Sequence, residues 1–238
     1  MSMTFSASTK AVVLWLHPQG QSAQDFRLSM MPLVERLDDL SVASVFVEAP
    51  TRLQPSGKLL SNRAWYGYTA EEYFQKDKVD LIESMMYLDK VVAEVEAQLP
   101  LGAKQIYLAG REQGAFLAIE AACCLQKSFA GAIAMTGDWP LALSSRASFA
   151  SNFPVLLAEL PTQDDYRRHR ELKVIEQLEQ MGLPVEASTG RFACRYGEEG
   201  LMERVRIFIE THLNPFDWLS EAPVGVPYSL STHIAEER

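Results

Sequence analysis

Glu112 stands midway through Gly110-Arg111-Glu112-Gln113-Gly114, behind the apolar run Ile106 to Ala109 and ahead of a helical pattern. A buried strand that turns through Gly-x-x-x-Gly into a helix is the frame of a nucleophile elbow. Its middle residue, ordinarily a serine, is held out to attack an acyl group. A carboxylate at that position sits at a helix N-terminus, where its anion is stabilised and its power as base or nucleophile falls. Its attack on an acyl group would yield a reactive anhydride, and a carboxylate-linked ester needs a histidine to activate the water that clears it. The residue type thus points away from the chemistry that the frame serves.

The elbow is one of three segments placed to do chemistry. Leu16-His17-Pro18-Gln19-Gly20-Gln21-Ser22-Ala23-Gln24-Asp25-Phe26 is the second, and Leu157-Ala158-Glu159-Leu160-Pro161-Thr162-Gln163-Asp164-Asp165 is the third. Each follows a short apolar run. In open α/β sheets, ligands sit outside the carboxyl ends of the strands, which is where these three segments fall.

The runs that must position them are Ala11 to Leu16, Val42 to Val47, Ile106 to Ala109, Ala130 to Met135 and Phe153 to Leu157. Short apolar stretches without alternation suit strands of a parallel sheet covered on both faces. Between them, Phe26, Met30, Leu33, Leu37 and Leu40 recur at helical spacing. So do Ile82, Met85, Leu88, Val92, Val95 and Leu99, and so do Leu201, Val205, Phe208 and Leu213. Glu198 and Glu199 open the last helix at its positive end. Strands alternating with helices predict an α/β protein with a doubly wound, mostly parallel sheet built from right-handed crossovers. Residues 1–10 form a lead, 11–213 one domain, and 214–238 an aperiodic extension carrying Pro215, Pro223 and Pro227. Thr51 to Thr69 is expected to be a long loop over one end of the sheet.

With 238 residues, 47% of them hydrophobic and 22% charged, the chain can bury a substantial core. A net charge of -9 argues against a nucleic-acid backbone or an anionic membrane as partner. Three cysteines, two of them adjacent at Cys123 and Cys124, make no disulfide framework and fit a reducing compartment. Met1 to Lys10 has no apolar h-region, and no apolar run approaches the ~20 residues of a membrane span. The expected location is the cytoplasm, with no cofactor and no metal.

The order and spacing of the three segments resemble the carboxylesterase/phospholipase family of α/β-hydrolases, which includes the acyl-protein thioesterases. That family carries a His-Gly-x-Gly-Asp-Ser-x-x-Asp-Phe loop after its first core strand, and His17 to Phe26 follow it with Pro18 and Gln21 as departures. Its Ala/Ser-Trp-Phe/Tyr segment corresponds to Ala64-Trp65-Tyr66, and its Gly-Phe-Ser-Gln-Gly-Gly-Ala elbow to Gly110 through Ala115. The resemblance spans roughly residues 10 to 213 and implies the α/β-hydrolase fold.

It also implies a Ser nucleophile, a His base and an Asp that orients the base, with backbone N–H groups forming an oxyanion hole. Carried over by position, Ser becomes Glu112, the acid falls at Asp164 or Asp165, and the His place in Cys194-Arg195-Tyr196 is taken by Arg195. An arginine stays protonated and accepts no proton at neutral pH. The oxyanion positions, Gln19 and Gln113, survive as backbone donors. Glu112 and Arg195 are expected to form an ion pair, with Arg111 as a second candidate partner. His17, Trp65, Tyr66 and Arg111 are the possible pocket residues.

Blander roles attach to several of these residues. His17 fits a structural position at a strand end. Trp65, Tyr66, Tyr68 and Tyr73 suit loop packing as well as a groove. Cys194, Cys123 and Cys124 fit buried thiols, His169 a solvated charged face, His212 a helix end, and His233 the tail. The resulting expectation is a pseudoenzyme that binds a small acyl-bearing ligand or a protein partner. The alternative is an active or residually active carboxylic-ester or thioester hydrolase with an unusual constellation. An altered serine at position 112 alone is insufficient, because position 195 differs as well.

Overall fold

β1 (Ala11–Leu16) is buried along its whole length, and its alternate side chains feed two separate cores. Val12, Leu14 and Leu16 enter one, while Ala11, Val13 and Trp15 enter the other. A strand flanked by apolar packing on both faces needs no polar side, which is why its sequence shows no alternation.

The computed structural model describes residues 5–52, 62–67, 77–137, 152–160, 164–188 and 197–213. Among them the elements run β1, α1 (Ala23–Asp39), β2 (Val42–Val47), β3 (Thr51–Arg52), β4 (Asn62–Arg63), α2 (Lys78–Glu96), β5 (Ile106–Glu112), α3 (Gln113–Cys124), β6 (Gly131–Gly137), β7 (Val155–Ala158), α4 (Asp165–Gln180), β8 (Val185–Ser188) and α5 (Gly197–His212). Six strands form one parallel sheet in the order β2-β1-β5-β6-β7-β8. Phe26, Met30, Leu33 and Leu37 of α1 share a core with Leu201, Val205, Phe208 and Ile209 of α5. Leu88, Val92 and Val95 of α2, most of α3, and Val174 and Leu178 of α4 pack into the other core. The sheet is doubly wound, in the α/β-hydrolase fold.

The strand ends depart from the sequence expectation in instructive ways. β5 continues three residues past Ala109, to Glu112, and β6 runs to Gly137. β8 is an edge strand whose Glu186 is half-buried and whose Ala187 is exposed, so it carries no continuous apolar signal. The expected loop from Thr51 to Thr69 is pinned where it begins, by an antiparallel ladder pairing Thr51 with Arg63 and Arg52 with Asn62. Arg52 anchors this ladder to α2 through the Asp80 carboxylate, the Asp80 carbonyl (2.8 Å) and Ser84 Oγ (3.1 Å). α1 starts at a capping box, in which Ser22 Oγ accepts the Asp25 N–H (3.0 Å) and the Asp25 carboxylate accepts the Ser22 N–H (3.2 Å).

Candidate functional site

Glu112 ends β5 and caps α3 with φ 51 and ψ -115. A positive φ is costly for a residue with a side chain and persists only when the surroundings impose it. Two glycines impose it here. A Cβ on Gly114 would fall inside the Leu16 carbonyl of β1, and a Cβ on Gly110 would fall inside the Gly114 backbone. With both side chains absent, the first turn of α3 presses directly onto β1 and β5, and the chain must bend sharply at Glu112. The Glu112 side chain is exposed.

A bulge lies beside the elbow. Arg111 pairs in register with Met135 but Glu112 pairs with Gly137, so Thr136 is the extra residue on β6. Thr136 is buried and has φ 45, an outlier for a β-branched residue. Arg111 Nε donates to Thr136 Oγ1 (3.2 Å), and its two terminal nitrogens donate to Glu198 Oε2 (3.1 Å) and Oε1 (2.5 Å) in the first turn of α5. Arg111 is therefore committed to Glu198, which corrects its expected role as a partner of Glu112.

Gln113 follows the elbow and is buried. As the first residue of α3 it has no intrahelical acceptor for its N–H, the condition an oxyanion donor needs. Its side-chain Oε1 accepts the Trp65 N–H (3.1 Å), while Nε2 donates to the Tyr66 carbonyl (2.8 Å) and to Gln19 Oε1 (3.2 Å). Leu16 pairs with Gly110 across β1 and β5, so the turn carrying Gln19 is laid beside the elbow by strand order. Gly20, at φ 82, donates its N–H to the Arg63 carbonyl (2.8 Å) and fixes that turn to β4. Gln19 and Gln113 are thus joined by their side chains.

His17, Trp65 and Tyr66 are fully buried. None of these three expected pocket residues is open to solvent. Trp65 Nε1 donates to the His17 carbonyl (2.9 Å), and the two rings lie 5.3 Å apart. His17 Nε2 accepts the Ala49 N–H (3.0 Å), which leaves Nδ1 to carry the proton donated to the Pro18 carbonyl (2.7 Å). Burial depresses its pKa below the ordinary 6.5, against the opposing pull of the Pro18 bond and Glu48. Glu48, between the end of β2 and Ala49, reaches His17 Nε2 (3.3 Å), Arg63 Nε (3.3 Å) and the Ala23 N–H (3.1 Å).

Asp164 and Asp165 meet the start of α4 and are both exposed, Asp165 to 93% of its side chain. Asp164 accepts the Arg168 N–H at its carbonyl (3.0 Å), and Asp165 pairs with Arg168 (3.5 Å). The residue that sequence reasoning passed over is Glu159, at the end of β7. It is buried, and its carboxylate accepts the Gly137 N–H (2.6 Å) beside the bulge. A carboxylate directly after a buried strand was the only available signal. Arg195, with Cys194, Tyr196, Tyr68, Tyr73 and His233, lies outside the described residues. Cys123 is buried in α3, its thiol pushed up to about 12 by burial, so it is inert. Among the described residues no three His, Cys, Asp or Glu side chains gather to hold a metal ion, and no helix is long and apolar enough to cross a membrane.

A sequence model of the phospholipase/carboxylesterase family matches residues 5–163. A probable carboxylesterase of Oryza sativa subsp. japonica is 25% identical over 146 residues, covering 60% of this chain and 60% of that protein. Among solved structures, a phospholipase/carboxylesterase from Dyadobacter fermentans is 26% identical with a TM-score of 0.58, over 78% of this chain and 83% of its own. SOBER1 of Arabidopsis thaliana is 15% identical with a TM-score of 0.63, covering 85% and 99%. Acyl-protein thioesterase 2 of Zea mays is 17% identical with a TM-score of 0.60, covering 89% and 97%.

Proposed function

Because this chain belongs to the phospholipase/carboxylesterase family, we propose that it is a non-catalytic member, a binding module that receives an acyl-bearing ligand at the strand-end edge. One observation carries the reading: a carboxylate occupies the elbow in the strained, exposed conformation that serves to present a nucleophile. At the N-terminus of α3 that carboxylate is favoured as the anion. It lacks the removable proton and the alkoxide reactivity of a serine. Arg195, standing at the base position by sequence, takes up no proton. Loss of triad members costs on the order of 10⁴ to 10⁶ in rate.

What survives is the part of the site that binds. The N–H groups of Gln19 and Gln113 are suited to a ligand carbonyl or carboxyl oxygen, and the Gln113 side chain holds the two segments in register. The ligand class follows from those two donors; a protein partner bearing an acyl group meets the same requirement.

Incubation with a fluorophosphonate probe and with p-nitrophenyl acyl esters is expected to give neither labelling nor turnover. Turnover that disappears in Glu112→Gln would sink the proposal. In the converse test, Glu112→Ser combined with Arg195→His should gain labelling if positions 112 and 195 are the Ser and His places. Binding itself is read by titrating a non-hydrolysable acyl ketone into the native protein, with heat or the amide shifts of Gln19 and Gln113 as the signal.

A further inference from the structure

His17 has two competing partners on one nitrogen. Nε2 accepts the Ala49 N–H at 3.0 Å and faces Glu48 Oε1 at 3.3 Å. A neutral ring with its proton on Nδ1 satisfies the first and leaves two electron-rich atoms, Nε2 and Oε1, facing each other. A protonated ring reverses both relations, since an Nε2–H turned toward Ala49 would meet another donor while Glu48 offers an acceptor. The charged groups that face His17 are Glu48 after β2, Arg63 of β4 and Asp25 of α1. Glu48 is the one among them in contact with the ring.

We propose that His17 is a proton-operated latch on the turn that presents Gln19. In the neutral state Nε2 holds Ala49, and the ring ties the Glu48–Pro50 segment to Pro18. On protonation the new Nε2–H stays on the ring and donates to the Glu48 carboxylate, and the Ala49 N–H is released. The incoming proton comes from solvent, and Glu48, with 36% of its side chain exposed, gives it a way in to a ring that is wholly buried. Glu48 also accepts the Ala23 N–H and pairs with Arg63, whose carbonyl holds Gly20. Drawing the carboxylate toward His17 therefore pulls on both supports of the Pro18–Gly20 turn. The latch acts on turn geometry and is independent of whether the elbow is catalytic.

The test uses the full native chain, with ring ¹⁵N shifts of His17 and amide exchange of Ala49 followed from pH ~8 to ~5. A bare Nε2 is expected at the upper end. As the ring charges, Ala49 protection should fall on the order of tenfold after correction for intrinsic exchange, the worth of one hydrogen bond. The Gln19 amide shift should move with the same midpoint. In Glu48→Gln the midpoint is expected to drop, because the carboxylate that receives the charged ring is gone. Ala49 protection that stays flat while His17 charges would overturn the proposal. So would a ring that remains neutral until the chain unfolds, or a midpoint unmoved by Glu48→Gln.

Discussion

Arg111 and Glu198 are 87 residues apart in sequence and meet through two parallel N–H···O bonds of 3.1 and 2.5 Å. The pair ties the last turn of β5 to the first turn of α5, so it fixes the position of the helix that follows the Arg195 segment. Arg111→Ala is expected to lower stability by about 1 kcal/mol, discounted because the arginine is 24% and the glutamate 47% exposed. Arg111→Lys should fail to restore it, since an ammonium cannot span two oxygens while reaching Thr136. Urea unfolding at low and high salt measures both effects; equal stability of all three proteins would show that the fork carries no load.

Glu112 stores strain. Its φ of 51 with ψ -115 belongs to a region that glycine enters freely and other residues enter at a cost of about 1–3 kcal/mol. Glu112→Gly is therefore expected to raise the unfolding free energy by roughly 1 kcal/mol, net of the extra freedom glycine brings to the unfolded chain. Thermal and urea melts decide it. A destabilised variant would mean that the carboxylate makes contacts worth more than the strain.

Gln113 is the joint between the elbow and the Trp65 loop. Gln113→Leu keeps much of the volume but strips partners from the buried Trp65 N–H and the Tyr66 carbonyl. The expected loss is about 2–4 kcal/mol, from one or two unsatisfied buried groups. Gln113→Glu should cost more, because Nε2, the donor to Tyr66, becomes an oxygen. Amide exchange of the Trp65 N–H reports the loop separately from global unfolding, and unchanged Trp65 protection in both variants would argue against the joint.

The pH dependence follows from His17. Its folded pKa lies below the unfolded value of 6.5, so between those two values the unfolded chain binds more protons than the folded one. Its contribution is present in full above 6.5 and is lost as pH falls through that value toward the lower folded pKa, where the loss levels off. His17→Asn should flatten this part of the stability profile measured by denaturant titration at successive pH values. A slope of the opposite sign in the native protein would contradict the burial of a neutral ring.

Much of the architecture was legible because burial dictated the residues. β1 and β2 coincide with Ala11 to Leu16 and Val42 to Val47, since parallel strands covered on both faces leave continuous apolar runs. The elbow was legible from Gly110 and Gly114, whose spacing has a steric cause. β8 was not, because an edge strand of four residues that includes Glu186 looks like any loop. Around the site, the limits come from register. The displacement of Thr136, the seat of Glu159 on Gly137 and the reach of Arg111 to Glu198 all depend on how distant strands align, which local spacing does not encode. The place of Glu112 in the elbow was readable, whereas its exposure was not, because local spacing does not encode what neighbouring elements leave uncovered.

Gly114 gives the elbow a peculiar kind of permanence. The contact between α3 and the Leu16 carbonyl leaves no room for even a methyl group, so the bend is enforced by the backbone of β1 and owes nothing to the side chain displayed at its apex. Form and reactivity are thereby uncoupled. The apex behaves as an interchangeable mount, on which a serine, a carboxylate or a glycine would be held at the same angle. In such a molecule the residue on display can be exchanged while the mount itself stays put.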